Sequence, residues 1–166
     1  MSPPASPPIR SLTDADRDAA VRVINEAARW YAEILPTHEV PDPEMTAEQW
    51  AAEAARMTWF GAEVEGELVG VVGLEYVDDV ALLRHWYVAP GRQRQGIGTL
   101  LRRHLEAAVE GVDRVIAGTY AANHKARRAL EAAGYRRSAD PDAVLRTYYR
   151  IPDDRRSTSV TYERPV

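Results

Sequence analysis

The chain has 166 residues, which is enough for one domain with a sizeable core and a single site. Its 45% apolar and 28% charged residues are ordinary for a folded globular protein. A net charge of −4 argues against a surface that neutralises nucleic-acid phosphates, and the absence of cysteine excludes disulfides, thiolate metal sites and a cysteine nucleophile.

The first eight residues contain four prolines and therefore predict an extended tail over residues 1–8, followed by one folded domain over residues 9–166. This segment has neither the basic start nor the apolar core of a signal peptide, and no apolar run of the chain approaches ~18 residues. We therefore expect a cytoplasmic protein that does not bind a membrane.

Two helices are predicted next. Thr13 can cap a helix over residues 14–34, in which apolar residues recur at helical spacing. A proline-rich, acidic loop follows, and Thr46 with Gln49 forms a capping box for a second helix through Met57.

From Trp59 the apolar period changes to two, which predicts strands over residues 59–64, 68–76 and 81–88 with short turns between them. Three more elements are predicted after the glycine-rich segment: a helix ending near Gly111, a strand over 112–119 and a helix from its cap Asn123 to Ala133. Two last strands are predicted over 144–150 and 157–163. This order predicts an α/β (α+β) fold, with a mixed, mostly antiparallel central sheet and helices on both faces.

The segment Gln93-Arg94-Gln95-Gly96-Ile97-Gly98 lies where a predicted strand passes into a helix. Glycine lets the backbone approach a ligand closely, and free N–H groups at a helix start favour a phosphate. A glycine-rich turn that merely begins a helix explains the tripeptide Gly-Ile-Gly about as well. No Gly-Lys-Ser/Thr follows and the third glycine of a dinucleotide loop is missing, so a different phosphate-bearing cofactor is indicated.

Together with Tyr87-Val88-Ala89-Pro90, this loop resembles the GNAT superfamily of N-acetyltransferases. A second segment, Asn123-x-x-Ala126 through Ala133-Gly134-Tyr135, resembles the other signature of that family. The resemblance covers residues 9–163 in element order and 80–135 in motif detail. It implies a GNAT-like fold with acetyl-CoA as cosubstrate.

What the resemblance implies for the cofactor is a pantetheine arm held by backbone groups around Tyr87 and Val88, with Asn123 bonding it. Loop N–H groups up to Gly98, with Thr99, would take the pyrophosphate. Lys125, Arg127 or Arg128 would meet the nucleotide phosphates, unless they form a solvated helix face. The predicted cofactor-binding residues are Tyr87, Val88, Gln93, Arg94, Gln95, Gly96, Ile97, Gly98, Thr99, Asn123 and Arg127.

The chain departs from the family where a tyrosine usually acts as acid and a glutamate as base, because Leu130 and Gly118 occupy those positions. His85, Glu75 and Tyr148 are the candidate catalytic residues in their place, with Tyr120 and Tyr149 as further alternatives.

Each of the three candidates also has a simpler interpretation: strand packing for His85, a surface carboxylate for Glu75 and core packing for Tyr148. Alternation along the strand predicts His85 and Tyr87 on one face, with Arg84 and Trp86 on the other.

The predicted reaction is acetyl transfer to a primary amine, directly in a ternary complex, with a small molecule as the acceptor. The acidic loop before the second helix, which includes Glu39 and Glu44, favours a cationic acceptor. A protein N-terminus or lysine remains an alternative acceptor, and a non-catalytic acyl-CoA-binding module is an alternative function.

Trp30 and Trp50 are candidates to line the acceptor site, because they lie on the two helices that border it in the family. No metal is implied, since the histidines at 38, 104 and 124 lack partner ligands at metal spacing. A homodimer through terminal strands is expected, and nucleic acid is not an expected partner.

Overall fold

The computed structural model describes residues 6–166. Residues 1–5 of the predicted tail lie outside the described residues. Residues 6–8 are in neither a helix nor a strand, and the first strand begins at Ile9, where the folded domain was predicted to start.

Seven strands and six α-helices make up the described chain. The strands are β1 (Ile9–Ser11), β2 (Met57–Val64), β3 (Glu67–Val77), β4 (Val80–Val88), β5 (Arg114–Tyr120), β6 (Arg136–Arg137) and β7 (Ser159–Pro165). The helices are α1 (Arg17–Ala28), α2 (Ala47–Ala54), α3 (Ile97–Ala108), α4 (His124–Ala132), α5 (Pro141–Tyr148) and α6 (Asp153–Ser157). Short 3-10 turns cover Asp14–Asp16, Arg29–Glu33, Thr37–Glu39 and Pro90–Arg92.

The strands form one sheet in the order β1-β2-β3-β4-β5-β7-β6, in which only β4 and β5 pair in parallel. This confirms the predicted mixed, mostly antiparallel sheet. The interior strand β3 is a nearly continuous apolar run, because helices cover it on both faces.

Neighbouring residues of β3 enter two different cores. Val72 packs with Ile97 and Leu101 of α3 on one face, whereas Val71 packs with Ile24 of α1 and Trp50 of α2 on the other. The helices therefore cover both faces of the sheet, as predicted.

A β-bulge interrupts β4. Val71 pairs with Tyr87 and Gly73 pairs with Arg84, so two residues of β4 stand opposite one residue of β3. One of the two, His85, has a φ of 51°, in the left-handed region. Bulges of this kind re-aim a side chain.

The bulge overturns part of the predicted alternation along β4. Arg84 and His85 both reach Glu53 of α2, so they lie on the same face of the sheet. Trp86 lies on the opposite face, where it bonds the Gly98 carbonyl of α3. The prediction that Arg84 and Trp86 share a face is therefore wrong.

The first two helices are shorter than predicted. The helix expected over 14–34 is an α-helix only over Arg17–Ala28, with 3-10 turns at both ends. Thr46 and Gln49 do form the predicted capping box, but α2 ends at Ala54 and Met57 already belongs to β2.

The strand predicted over 144–150 is wrong, because α5 occupies Pro141–Tyr148. Asp140 caps this helix by accepting a hydrogen bond from the Ala143 N–H at 3.1 Å, and Pro141 stands at its first position. Asp-Pro is a helix-start signal that the alternating pattern concealed. The short strand β6 and helix α6 were not predicted.

No helix within residues 6–166 is both long and apolar enough to cross a membrane.

Candidate active site

Helix α3 begins without a side-chain cap. Its N-cap, Gly96, has a φ of 80°, and Arg94 also has a positive φ, 64°. The N–H groups of Ile97, Gly98 and Thr99 lie in the first turn, where an α-helix offers them no intrahelical acceptor. The loop therefore presents free donors and the positive end of a helix dipole to an anion.

A groove opens beside this loop because β4 and β5 separate. Their pairing ends at Leu83 and Ala117, which leaves the backbone edges of the following residues facing one another across a gap. The groove has a volume of about 1140 Å³. Its walls include Glu26, Trp30, Trp86, Tyr87, Val88, Gln93, Arg94, Asn123, Lys125 and Arg128.

The structure brings most of the predicted cofactor residues to this groove. Tyr87, Val88, Gln93, Arg94 and Asn123 line it directly, and the segment 95–99 forms the helix start at its end. Within that segment the Ile97 side chain belongs to the core, where it is 1% exposed, so only its backbone faces the loop.

Arg127 is an exception, because its guanidinium turns away from the groove. Its Nε donates to the Tyr162 hydroxyl at 3.1 Å and its Nη1 to the Ala121 carbonyl at 2.8 Å. Arg128 and Lys125 line the groove instead, and the Lys125 ammonium lies 4.2 Å from the centre of the Trp30 ring across it. The prediction that the Arg127 side chain faces the cofactor groove is therefore wrong.

The Asn123 side chain is engaged within the protein. Its Oδ1 accepts from the Ala126 N–H and its Nδ2 donates to the Thr119 hydroxyl, both at 3.1 Å. It thus caps α4, as its sequence position predicts. A bond from this amide to pantetheine stays a prediction.

A second, smaller pocket of about 150 Å³ adjoins the groove and shares Tyr31 and Tyr87 with it. It lies between the loop before α2, the bulge of β4 and the segment from α5 to α6. Its walls include Tyr31, Glu44, Arg84, His85, Tyr87, Gly118, Tyr120, Tyr149 and Arg155.

Glu44 is held in this pocket by its neighbour in the chain. Asn25 of α1 donates to the Met45 carbonyl and accepts from the Met45 N–H, both at 2.9 Å. The Tyr87 hydroxyl donates to Glu44 Oε1 at 3.3 Å and lies 3.2 Å from the Tyr31 hydroxyl. The Asn25 side chain therefore anchors the backbone next to Glu44, and the Tyr87 hydroxyl contacts the carboxylate itself.

Burial shifts the pKa values of the ionisable side chains in this pocket. It raises the pKa of Glu44, against the opposing influence of Arg155 and the Tyr87 hydrogen bond. Burial also raises the pKa of Tyr31 to about 12 and that of Tyr87 well above its usual value. The tyrosines are therefore neutral donors near pH 7.

Apart from His85 Nε2, which contacts Glu53, three polar atoms of this pocket are buried without a hydrogen-bond partner in the described chain: Glu44 Oε2 and the hydroxyls of Tyr120 and Tyr149. Unpaired buried polar groups are costly and rare in folded proteins. They are concentrated in one small cavity, where a polar ligand or a water molecule can pair with them.

His85 also lines the pocket, next to a carboxylate that sequence reasoning missed. Its Nε2 lies 2.7 Å from Glu53 Oε2, and its ring stacks on Trp59 with centroids 5.2 Å apart. Burial opposes ionisation of Glu53, but the contact with His85 and the charges of Arg84 and Arg56 outweigh it and lower the pKa of Glu53. Glu53 is thus an ionised partner for His85.

Glu75 lies outside the pocket. Its Oε2 is 3.2 Å from Arg84 Nη1 and 3.4 Å from Arg56 Nε, and the residue is 8% exposed. A carboxylate held by two arginines is suited to orienting Arg84 rather than to accepting a proton from a substrate.

Tyr148 is not in the pocket either, because it ends α5 instead of lying on a strand. Its hydroxyl accepts from Arg114 Nη2 at 2.9 Å and donates to Asp79 at 3.1 Å. The adjacent Tyr149 takes the place in the pocket, and burial raises its pKa. Its ring fills the space at Gly118, where an added Cβ would lie 3.3 Å from the phenol carbon and oxygen.

Neither tryptophan predicted at the acceptor site lines the smaller pocket. Trp50 is a core residue, 1% exposed and stacked on Trp59 with centroids 5.4 Å apart. Trp30 lines the larger groove beside the glycine-rich loop, which we call the donor groove. Leu130, at the position of the family tyrosine, is a core residue that is 2% exposed.

Within residues 6–166, no group of three or more His, Asp or Glu side chains is arranged to hold a metal ion.

The fold and the site together present a helix start suited to a phosphate, at the end of a groove in a splayed sheet and beside a second small pocket. A family model described as the acetyltransferase (GNAT) family matches residues 22–135. The chain therefore belongs to the acetyltransferase (GNAT) family and is an acetyltransferase, with acetyl-CoA as its cosubstrate, as the motifs predicted.

Solved structures of similar fold cover nearly the whole chain. The PaiA N-acetyltransferase of Thermoplasma acidophilum, in complex with coenzyme A, is 17% identical, with 98% of this chain and 100% of that chain covered at a TM-score of 0.80. The ribosomal-protein-S18-alanine N-acetyltransferase of Escherichia coli is 24% identical, with 96% and 93% covered and a TM-score of 0.71. An acetyltransferase of Thermus thermophilus is 23% identical, with 98% of each chain covered and a TM-score of 0.71.

Proposed function

We propose that this acetyltransferase acts on the primary amine of a small molecule, by direct transfer within a ternary complex. The observation that carries the proposal is the 150 Å³ pocket, which meets the donor groove at Tyr31 and Tyr87. A cavity of roughly 150 Å³ holds a molecule of the size of benzene. The part of the acceptor that enters is therefore small.

Glu44 is the group that receives the amine. An amine reaches the pocket as an ammonium ion, and a buried carboxylate gains a charged partner when the ammonium binds. Since burial raises the pKa of Glu44, its basicity lies closer to neutrality than that of an exposed glutamate. Glu44 then takes the proton that makes the amine nucleophilic.

The neutral amine nitrogen bonds to the acetyl carbon, the carbon–sulfur bond breaks, and the departing thiolate takes a proton from a tyrosine hydroxyl. The nitrogen loses one further proton as the amide forms, and that proton restores the tyrosine, so one amine proton ends on the thiol of coenzyme A. Tyr31, Tyr87 and Tyr120 offer neutral hydroxyls near the junction of groove and pocket, with Tyr31 and Tyr120 ring centroids 5.2 Å apart. One of these hydroxyls serves as the acid in place of the tyrosine that Leu130 replaces.

Among the predicted catalytic residues, we retain His85 as a second proton carrier, because it lines the pocket and Glu53 orients its ring. Glu75 acts through Arg84 as a positioning residue, and Tyr148 takes no part. For the donor we retain the backbone of Tyr87 and Val88, the segment from Gln93 to Thr99, and Asn123, with Arg128 in place of Arg127.

The test is coenzyme A release from acetyl-CoA with a panel of small primary amines and one peptide that has a free N-terminus and a lysine. Glu44→Gln should lower kcat/KM on the order of a hundredfold and remove the acidic limb of the pH profile, because a general base contributes about 10² or more. Glu48→Gln, an exposed glutamate of α2, is the matched control.

Two results would contradict the proposal. If acetyl-CoA binds but no amine raises coenzyme A release above hydrolysis, amine transfer is wrong. Turnover with the peptide alone would instead make the acceptor a protein.

A further inference from the structure

The acceptor pocket carries a positive group as well as Glu44. Arg155 of α6 lines the same cavity, with its guanidinium 5.8 Å from the centre of the Tyr120 ring. In the described part of the chain, no carboxylate lies within 4.0 Å of that guanidinium. Glu44 and Arg155 thus face the cavity without forming an ion pair.

The other arginine of the pocket is already paired. Arg84 contacts Glu53 at 3.1 Å and Glu75 at 3.2 Å, so its charge is balanced within the protein. His85 is likewise occupied by Glu53. Glu39 is a further acidic group near this cavity, and its charge, like that of Glu44, raises the pKa of Tyr120. Arg155 is therefore the arginine available to an anion that enters the pocket.

We propose that the acceptor is a small zwitterion, whose ammonium group binds Glu44 and whose carboxylate or other anionic group binds Arg155. The proposal rests on the proposed function and refines it. From the sequence, the acidic loop predicted a cationic acceptor. In the folded protein, Arg155 lines the same pocket as Glu44 of that loop, so the pocket also contains a positive charge.

Charge balance favours a zwitterion over a simple amine. A purely cationic acceptor neutralises Glu44 and leaves Arg155 partly buried without a counterion, which is costly. A zwitterion pairs both groups and adds no net charge to the cavity. The unpaired hydroxyls of Tyr120 and Tyr149 can donate to its anionic end.

Size restricts the class further. The two charged groups share a cavity of about 150 Å³, so the ammonium and the anion of the acceptor are separated by only a few bonds. α-Amino acids are the smallest common molecules that meet this requirement. A free α-amino acid is therefore the acceptor class that the pocket fits.

The test compares each L-α-amino acid of a panel with its own primary amide, for example L-valine with L-valinamide, which has nearly the same size but no carboxylate. The quantity measured is kcat/KM for the acid divided by kcat/KM for the amide. Arg155→Gln should lower this ratio by about tenfold or more, because a hydrogen bond to a charged group is lost. The intrinsic difference in basicity between acid and amide cancels when native protein and variant are compared.

Arg156→Gln is the matched control. This neighbouring arginine of α6 contacts Asp142 and Asp153 and does not line the pocket. Its acid-to-amide ratio should equal that of the native protein, and its thermal unfolding shows whether loss of an α6 arginine disturbs the fold.

Each possible result either supports the zwitterionic acceptor or overturns it. A ratio that falls in Arg155→Gln but not in Arg156→Gln supports it. Amides turned over with a ratio that Arg155→Gln leaves unchanged would overturn the zwitterion and leave the proposed function standing. If acetyl-CoA binds but neither acids, amides nor other amines are turned over, the proposed function fails and this inference fails with it.

Discussion

Glu44 is the residue whose environment differs most from what its sequence position suggests. It lies in an acidic, proline-rich loop that looks fully solvated. The Asn25 side chain forms two hydrogen bonds with the backbone of Met45, next to Glu44. The Glu44 carboxylate lies against Tyr87, and its other oxygen is buried without a hydrogen-bond partner among the described residues. A catalytic carboxylate gains basicity in such a site, at a cost in folding free energy.

We expect that cost to appear as a pH-dependent gain in stability for Glu44→Gln. The pKa of Glu44 is raised in the folded state, so in the window above its ordinary value of 4.5 the folded chain binds more protons than the unfolded chain. The native protein therefore loses stability as pH rises through this window, and a glutamine does not. The difference in unfolding midpoint, variant minus native, should therefore grow as the pH rises above 4.5.

Thermal unfolding followed by circular dichroism across that pH range measures this difference. Glu110→Gln, at an exposed glutamate, provides the matched control. A Glu44→Gln curve parallel to the native curve at every pH would show that Glu44 is not buried in the way described.

At the scale of elements, the site depends on three irregular features: a bulge within β4, the end of the β4–β5 pairing and the uncapped start of α3. The bulge in β4 turns His85 toward α2 and toward the pocket, and the end of β4–β5 pairing opens the groove. The uncapped start of α3 then meets the end of the groove. Each irregularity leaves backbone groups unpaired where a ligand can use them.

Gly96→Ala should weaken acetyl-CoA binding severalfold, because alanine at a φ of 80° costs about 1 kcal/mol and shifts the first turn of α3. Gly111→Ala is the control, since Gly111 has a φ of 78°, nothing lies within 4 Å of its added Cβ, and it follows the far end of α3.

Both variants should lose similar stability. Titration calorimetry with acetyl-CoA should detect weaker binding only for Gly96→Ala. Equal affinities for the two variants would refute the assignment of the pyrophosphate to this loop.

At the scale of the whole molecule, the donor groove and acceptor pocket are held together by contacts between the two helical layers and the sheet. Ligand binding to the folded chain alone should therefore stabilise the entire fold. Coenzyme A at a hundred times its Kd should add about 2.7 kcal/mol, which raises the unfolding midpoint by roughly 5 to 10 °C in a protein of this size.

Differential scanning calorimetry measures this shift, and L-valine added to the coenzyme A complex should raise the midpoint further without turnover. Inorganic pyrophosphate alone, as a control, should give only a fraction of the shift, because it lacks the pantetheine arm that we propose for the groove. No shift with coenzyme A would contradict the groove as the donor site.

Much of the donor site was predictable from local sequence. A glycine-rich loop between strand and helix, and the Asn123 cap with its Gly134 terminus, are signals that span a few residues each. Helix starts, caps and left-handed turns depend on neighbouring residues, so these local signals, together with the resemblance to the GNAT superfamily, determined the fold class and the cofactor.

The acceptor pocket depends on contacts between distant segments. Glu44 and Arg155 are far apart in the chain, Tyr149 belongs to a segment that alternation wrongly predicted as a strand, and the bulge at His85 breaks the face rule. Burial, unpaired hydroxyls and opposed charges exist only once these segments meet. Tertiary structure alone therefore decided which side chains line the second pocket, because local patterns carry no information on which surfaces pack together.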